Sequence, residues 1–301
     1  MDKIDVVIAY VDCSDKAWQH EYSKHVAMPY NPVRFRSWDT VRYILRGIDT
    51  HMPWVNNIYL VVMSETQVPE YVDTSKVKIV YHKDFMPESQ LPCFSSNPIE
   101  AYLWNIPGLS EKFIYFNDDM IPIMESDPDD FFTDDGRVRC TQRINHNPEI
   151  KNIFHQIRKN CTEIAFRAAG LSYNGTDVIS QRHGPQALLR SYCEECFDKA
   201  QDEIEGGLTM VRASSNICQY VYTNYMLLKH MTDRSEKPAS LTYADFKKCT
   251  VEQVADAIIN PSEKFICIND TSDVGDHYEE YRATITASFE TLYPNKSKYE
   301  K

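Results

Sequence analysis

The run Phe113-Ile114-Tyr115-Phe116-Asn117-Asp118-Asp119-Met120-Ile121 places four apolar or aromatic residues directly before an amide and two adjacent carboxylates. Continuous apolar character, without the alternation of a half-exposed strand, marks a strand buried on both faces of a parallel sheet. Polar groups at the carboxyl end of such a strand stand where open α/β sheets bind ligands. Two neighbouring carboxylates repel one another, so a compensating cation is expected there, most simply a divalent metal. Residues of this type also cap turns and helices, and the run alone leaves both readings open.

Upstream, strand and helix signals alternate. Residues 4–11 read as a strand ending in Asp12, and residues 15–22 as a short helix. Ser37 stands where it would cap a helix starting at Trp38, in which Val41, Ile44, Leu45 and Ile48 form an apolar stripe at helical spacing. Val- and Ile-rich strands follow at residues 58–63 and 77–81, then a helix over 97–104 with Pro98 in its first turn. This order predicts an α/β fold of Rossmann-like type, a mostly parallel sheet flanked by helices.

Downstream the texture changes. Residues 127–135 are strongly acidic and read as an exposed loop. Helical patterns cover 148–171, 185–205 and 213–231, which predicts a helical subdomain inserted in the second half, and 235–240 read as a connecting loop. Lys264-Phe-Ile-Cys-Ile-Asn269-Asp270 repeats the opening theme and is expected to return to the sheet, before a final helix over 278–292. The expected division is an α/β part over 1–135, a mainly helical part over 136–240 and a return to the α/β domain over 241–301.

The 301 residues suffice for a large core, and the net charge of -12 argues against a nucleic-acid partner, which would need a basic surface. No apolar stretch reaches the roughly 18 residues of a membrane span, and the N-terminus enters a strand at once without the features of a signal peptide. Nine scattered cysteines point to reduced thiols. Cys193-Glu-Glu-Cys196 lacks a second pair for zinc. Sequons at Asn160, Asn174, Asn269 and Asn295 are read as chance matches without a secretory signal.

Several blocks in order resemble a known family. Ile4-Asp-Val-Val-Ile-Ala-Tyr-Val-Asp12-Cys-Ser-Asp15 is similar to the first conserved block of the Stealth family. Its members include bacterial capsular polysaccharide phosphotransferases and the catalytic subunit of lysosomal-enzyme GlcNAc-1-phosphotransferase. Phe35-Arg36-Ser-Trp-Asp39-Thr-Val-Arg42-Tyr-Ile-Leu-Arg46-Gly-Ile, Pro53-Trp54, Ser95-Ser96-Asn97-Pro98-Ile99-Glu100 and the opening run resemble the second block. His183-Gly184-Pro185 with Arg212 resembles the third, and Phe265-Ile-Cys-Ile-Asn269-Asp270 the fourth. Cys13 stands where the first block usually has Gly, and His-Gly-Pro replaces a longer His-Met-Pro form.

The resemblance implies a GT-A-like sheet and transfer of a hexose-1-phosphate, for example GlcNAc-1-phosphate, from a nucleotide-sugar, UDP-linked by expectation, to a hydroxyl of an oligosaccharide or polysaccharide. The product is a phosphodiester in capsular or exopolysaccharide synthesis. Asp119 is the first candidate to bind Mg²⁺ (or Mn²⁺), with Asp118, Glu100 and Asn269 as further candidates, since such ions favour carboxylates, phosphate oxygens and water. His183 is the candidate general base, or a phosphorylated intermediate, and Pro185 would open a helix just after it. Arg212 is the candidate clamp on the transferred phosphoryl group. Arg36 and Arg42 are candidates for the nucleotide phosphates, against surface pairing with acids such as Asp39. Asp12, Asn97, Asn117 and Asn269 complete the candidate binding residues, whereas Trp18 is assigned to the core. Competing readings are a metal-dependent conventional glycosyltransferase and a non-catalytic glycan-binding protein. A cytoplasmic place is expected, with peripheral association at the inner face of a membrane beside a lipid-linked acceptor.

Overall fold

The apolar runs of the first 120 residues form one parallel sheet. In a computed structural model describing residues 2–234 and 239–301, β1 (Ile4–Ala9), β2 (Ile58–Val62), β3 (Val77–Tyr81) and β4 (Lys112–Asn117) lie in the order β3-β2-β1-β4. Val6 of β1 pairs with Ile58 on one side and Ile114 on the other. Val6, Val7, Ile8 and the four residues Phe113, Ile114, Tyr115 and Phe116 are buried, as strands covered on both faces require. The strand order changes direction at β1, so a crevice opens at the carboxyl ends of β1 and β4, the topological switch point of such sheets.

Helices cover the sheet. α1 (Lys16–His25) is capped by Asp15, which accepts from the Ala17 amide. Trp18 is buried in an aromatic cluster with Tyr22 and Phe94, the core role expected of it. α2 (Thr40–His51) lays its stripe of Val41, Ile44, Leu45 and Ile48 into the core, each worth about 1.5–3 kcal/mol of burial. Its cap position falls to Asp39 in a left-handed conformation, while the Ser37 hydroxyl accepts from the Asp39 amide. α3 (Ser96–Tyr102) starts at a Ser95 cap.

After β4 the chain leaves the first sheet. Asp118 and Asp119 form the break, and β5 (Met120–Pro122) enters a second sheet. Gly47 of α2 makes this possible. A Cβ there would stand 2.4 Å from the Pro122 carbonyl oxygen, so helix and strand backbones approach through glycine. The acidic stretch that follows is anchored, because Phe131 and Phe132 are buried and Asp130 pairs with Lys264 at 2.6 Å. β6 (Val138–Arg139) and β7 (Arg143–Asn145) are short, and α4 (Ile153–Ala168) leads to β8 (Val178–Ser180), the antiparallel partner of β7.

The helix expected from Pro185 begins later. Gln186–Leu189 forms β9 instead and pairs antiparallel with β4. The buried Ala187, Leu188 and Leu189 fill the open edge of the first sheet, an apolar demand that outweighs local helical propensity. Helix resumes in α5 (Arg190–Lys199) and α6 (Gln201–Gly207). The next helix is shorter than its pattern, α7 (Tyr220–Leu228), and ends near β10 (Thr232–Asp233), which pairs with β6. Residues 235–238, within the loop expected at 235–240, lie outside the described residues.

The strand around residues 264–270 does not return to the first sheet, whose edge β9 already occupies. β11 (Leu241–Asp245), α8 (Val251–Ile259) and β12 (Phe265–Asn269) build the second sheet in the order β11-β12-β5. α9 (Tyr278–Leu292) packs on α2, where Phe289 stacks on Tyr43. Buried Arg46 of α2 binds Glu300 at 2.9 Å and Glu290 at 3.1 Å. All nine cysteines are free; Cys193 and Cys196 are buried in α5, where burial pushes both thiols up. Among the described residues no helix is long and apolar enough to cross a membrane.

Candidate active site

The switch-point crevice is a cavity of about 720 Å³, lined by Tyr10 and Val11 after β1, by Asn117 at the end of β4 and by Asp118 and Asp119 just after it. Helix α2 and the second sheet hold this lining together. The Thr40 hydroxyl donates to the Asp118 carbonyl, and the Ile268 amide donates to the Asp119 carbonyl at 2.8 Å. Sequence order alone gives the acidic pair; the second sheet gives it a fixed direction.

The pair is electrostatically uncomfortable. Burial and the adjacent Asp119 charge push Asp118 up from 3.8 to about 7. Asp119 Oδ2 accepts from the Cys267 thiol at 3.3 Å and lies 3.5 Å from His183 Nε2. Ligand-type atoms of Asp119, His183 and Cys267 all fall within 4.8 Å of one another. Asp119 Oδ1 and Asn117 Oδ1 are buried without a hydrogen-bond partner. Two orphaned oxygens beside two crowded carboxylates are the donor set a hard divalent cation takes. Burial and Asp119 push the Cys267 thiol up, so it stays protonated and ligates poorly.

His183 reaches this group from the loop before β9. The expected helix terminus after it is absent because Pro185 leads into a strand. Its orientation comes from Asp119 and from Tyr243 of β11, whose ring meets the imidazole edge-on at 6.0 Å.

Glu100 belongs to a different corner. Its carboxylate accepts from the Tyr115 hydroxyl at 3.3 Å and the Gln219 amide at 3.2 Å. Burial pushes it up, with Arg212 as the opposing positive charge. Glu100 therefore stands with Arg212, while the Tyr115 phenol that donates to it also feels the charges of Asp118 and Asp119. Arg212 donates to Ser96 Oγ at 3.2 Å, lies over Phe154, and keeps a buried Nε without a partner. Asn97 is buried on the same wall, and Asn269 reaches the cavity from the end of β12.

Two candidates are not brought to the cavity. Arg42 lies 3.6 Å from Asp39 and over Tyr71, because its place on α2 faces away from the crevice. Asp12 turns back on its own loop, accepting from the Ser14 amide and hydroxyl at 2.8 Å. Arg36 does line the cavity, but Asp270 holds it through two bonds of 2.5 and 2.7 Å, which leaves it a poor phosphate ligand. Sequence reading missed Tyr243, Arg34 and Arg158 on the cavity walls and the buried Cys267 against Asp119. Strand periodicity could have signalled Cys267, two positions before Asn269 on one face of β12; nothing local marks the two arginines.

The chain is similar to several known proteins. Residues 34–140 match Stealth protein CR2, conserved region 2, and residues 256–301 match CR4, conserved region 4. The receptor polysaccharide phosphotransferase WefC of Streptococcus gordonii is 38% identical, with 100% of this chain and 99% of that one covered. The exopolysaccharide phosphotransferase cps2G of Lactiplantibacillus plantarum is 27% identical over 99% and 96% of the two chains. Among solved structures, the galactosyltransferase LgtC, in complex with donor and acceptor sugar analogs, aligns with 94% of this chain at 10% identity and a TM-score of 0.42. A full-length relative at this identity, with two conserved regions matched in order, leaves one assignment: the chain is a transferase of the Stealth family.

Proposed function

We propose that the protein transfers a hexose-1-phosphate from a nucleotide-sugar, UDP-linked by preference, to a glycan hydroxyl in capsular or exopolysaccharide synthesis. The observation that carries this reading is Asp119, with one orphaned buried oxygen and the other 3.5 Å from His183 Nε2. A group that can hold a cation on a diphosphate thus stands beside a group that can take a proton from an incoming hydroxyl. The phosphotransferase names of the relatives support the same class.

In the proposed step the acceptor oxygen forms a bond to the phosphorus attached to the sugar. The bond from that phosphorus to the nucleoside monophosphate breaks, and the hydroxyl proton passes to His183 Nδ1, the ring nitrogen not turned to Asp119. Asp119 keeps the imidazole turned towards the acceptor and disfavours loss of the proton it gains. Asp119 and Asn117, with Asp118 behind them, would hold Mg²⁺ (or Mn²⁺), which when bound supplies charge neutralisation for the diphosphate and the leaving group. Arg212, kept in place by Ser96 and balanced by Glu100, would bind phosphoryl oxygens.

Donors labelled at the sugar-linked phosphate test the reading. With an oligosaccharide acceptor and Mg²⁺, label should enter the glycan; sugar entering without label would make the protein an ordinary glycosyltransferase instead.

A further inference from the structure

Four arginines line the cavity, Arg34, Arg36, Arg158 and Arg212, and only Arg36 is in ion-pair contact with a carboxylate there, Glu100 acting on Arg212 without touching it. Among the described residues no carboxylate comes within ion-pair distance of Arg34, Arg158 or Arg212, whereas Arg46, Arg137, Arg139 and Arg167 all have such partners. Three guanidiniums without an ion-pair partner thus share one cavity in a chain with 44 acidic residues against 32 Lys and Arg. Nε atoms of Arg158 and Arg212 are moreover buried without partners, a costly state that a bound anion would end.

Burial, and then the like charge of Arg212, lower Arg34 to about 10. Arg158 lies on α4, one turn from Phe154, the ring over which the Arg212 guanidinium lies. The Arg158 guanidinium faces the Tyr220 ring at 5.8 Å and acts on Tyr243, the residue packed edge-on against His183. Arg158 also lies outside residues 34–140 and 256–301, the regions matched to the family.

We propose that Arg158 completes a three-guanidinium cradle for a diphosphate, with Arg34 and Arg212 on one phosphoryl group and Arg158 on the one nearest His183. Tyr243 links Arg158 to His183, so a diphosphate lying along the three guanidiniums would lay its attacked phosphorus beside the imidazole. A planar fork that binds two oxygens suits this place better than an ammonium. The position of the reacting phosphoryl group rests on the transfer reading above; the binding of a diphosphate anion does not.

Calorimetry with pyrophosphate as the probe, on the whole chain in EDTA, tests the cradle without any reaction. Wild type should bind, Arg158→Gln about 10- to 100-fold more weakly, and Arg158→Lys in between, at unchanged circular dichroism. Absence of pyrophosphate binding by the wild type overturns the cradle, and equal affinity in Arg158→Gln removes Arg158 from it. Should Arg158→Gln fail to fold, Arg158→Lys with full wild-type affinity overturns the need for a fork. In transfer assays Arg158→Lys should lower kcat at least 10-fold more than it raises the donor KM. A wild type that binds pyrophosphate but never transfers label would leave the cradle standing and defeat the reaction.

Discussion

Asp118 carries a penalty that can be measured without any substrate. Its carboxyl titrates near 3.8 in an unfolded chain and at about 7 in the folded one, chiefly through burial and then through Asp119. Between those values the folded state holds the proton more tightly, so stability falls as pH rises from about 4 to about 7. The full gap corresponds to about 4 kcal/mol at neutral pH. Asp118 opens onto the cavity, where water screens part of the charge, so about 2 kcal/mol is expected in practice. Asp118→Asn keeps the shape and removes the charge. Urea unfolding in EDTA should show it more stable than wild type by about 2 kcal/mol at pH 8, with the advantage shrinking towards zero near pH 4. Millimolar Mg²⁺ should erase much of that advantage by stabilising the wild type, with its extra carboxylate, more than the variant. Parallel pH profiles for the two proteins in EDTA would refute the reasoning, since the charge would then cost nothing.

Other positions give sharper single outcomes. Gly47→Ala should lower stability by about 3 kcal/mol in thermal unfolding, because its Cβ meets a backbone oxygen that cannot rotate away; an unchanged Tm would mean that α2 and β5 separate freely. Glu300→Gln should cost about 2–4 kcal/mol at pH 7 by leaving buried Arg46 half compensated. Although burial alone would raise Glu300, bonds from Arg46 and Ser297 pull it below its usual value, so the loss should fade as pH falls through the carboxylate range. Equal stability of the two proteins at pH 7 would count against that pair. His183→Ala should reduce transfer by about 10²–10⁴-fold with donor affinity nearly intact, as measured by calorimetry; normal turnover would exclude it as the base.

What could be read in the sequence followed from local chemistry. The buried strands 4–9, 58–62, 77–81 and 112–117, the stripe of α2 and the acidic break after β4 depend on neighbours along the chain, and periodicity exposes them. The grouping of Asp119 with His183 came from order and resemblance, and the 3.5 Å distance is in keeping with it. What escaped was decided between distant segments. Whether residues 186–189 become helix or strand depends on the vacant edge of β4, which no local window contains. Arg36 and Arg158 are alike as residues; only the position of Asp270 makes one a structural pair and leaves the other unclaimed. That Glu100 meets the Tyr115 hydroxyl and the Gln219 amide likewise depends on segments far apart in the chain.

The break at Asp118–Asp119 joins the two sheets, with Thr40 gripping one carbonyl and Ile268 the other. Function here is therefore less robust than the fold. If β12 peels away from β5, the first sheet keeps its core, yet Asp119 loses the hydrogen bond and the Cys267 contact that aim it. Such an opening would appear in hydrogen exchange as early loss of protection at Ile268 while the amides of β1 and β4 remain slow. Inactivation on heating or in mild denaturant should accordingly precede global unfolding, tracking the opening of the second sheet alone.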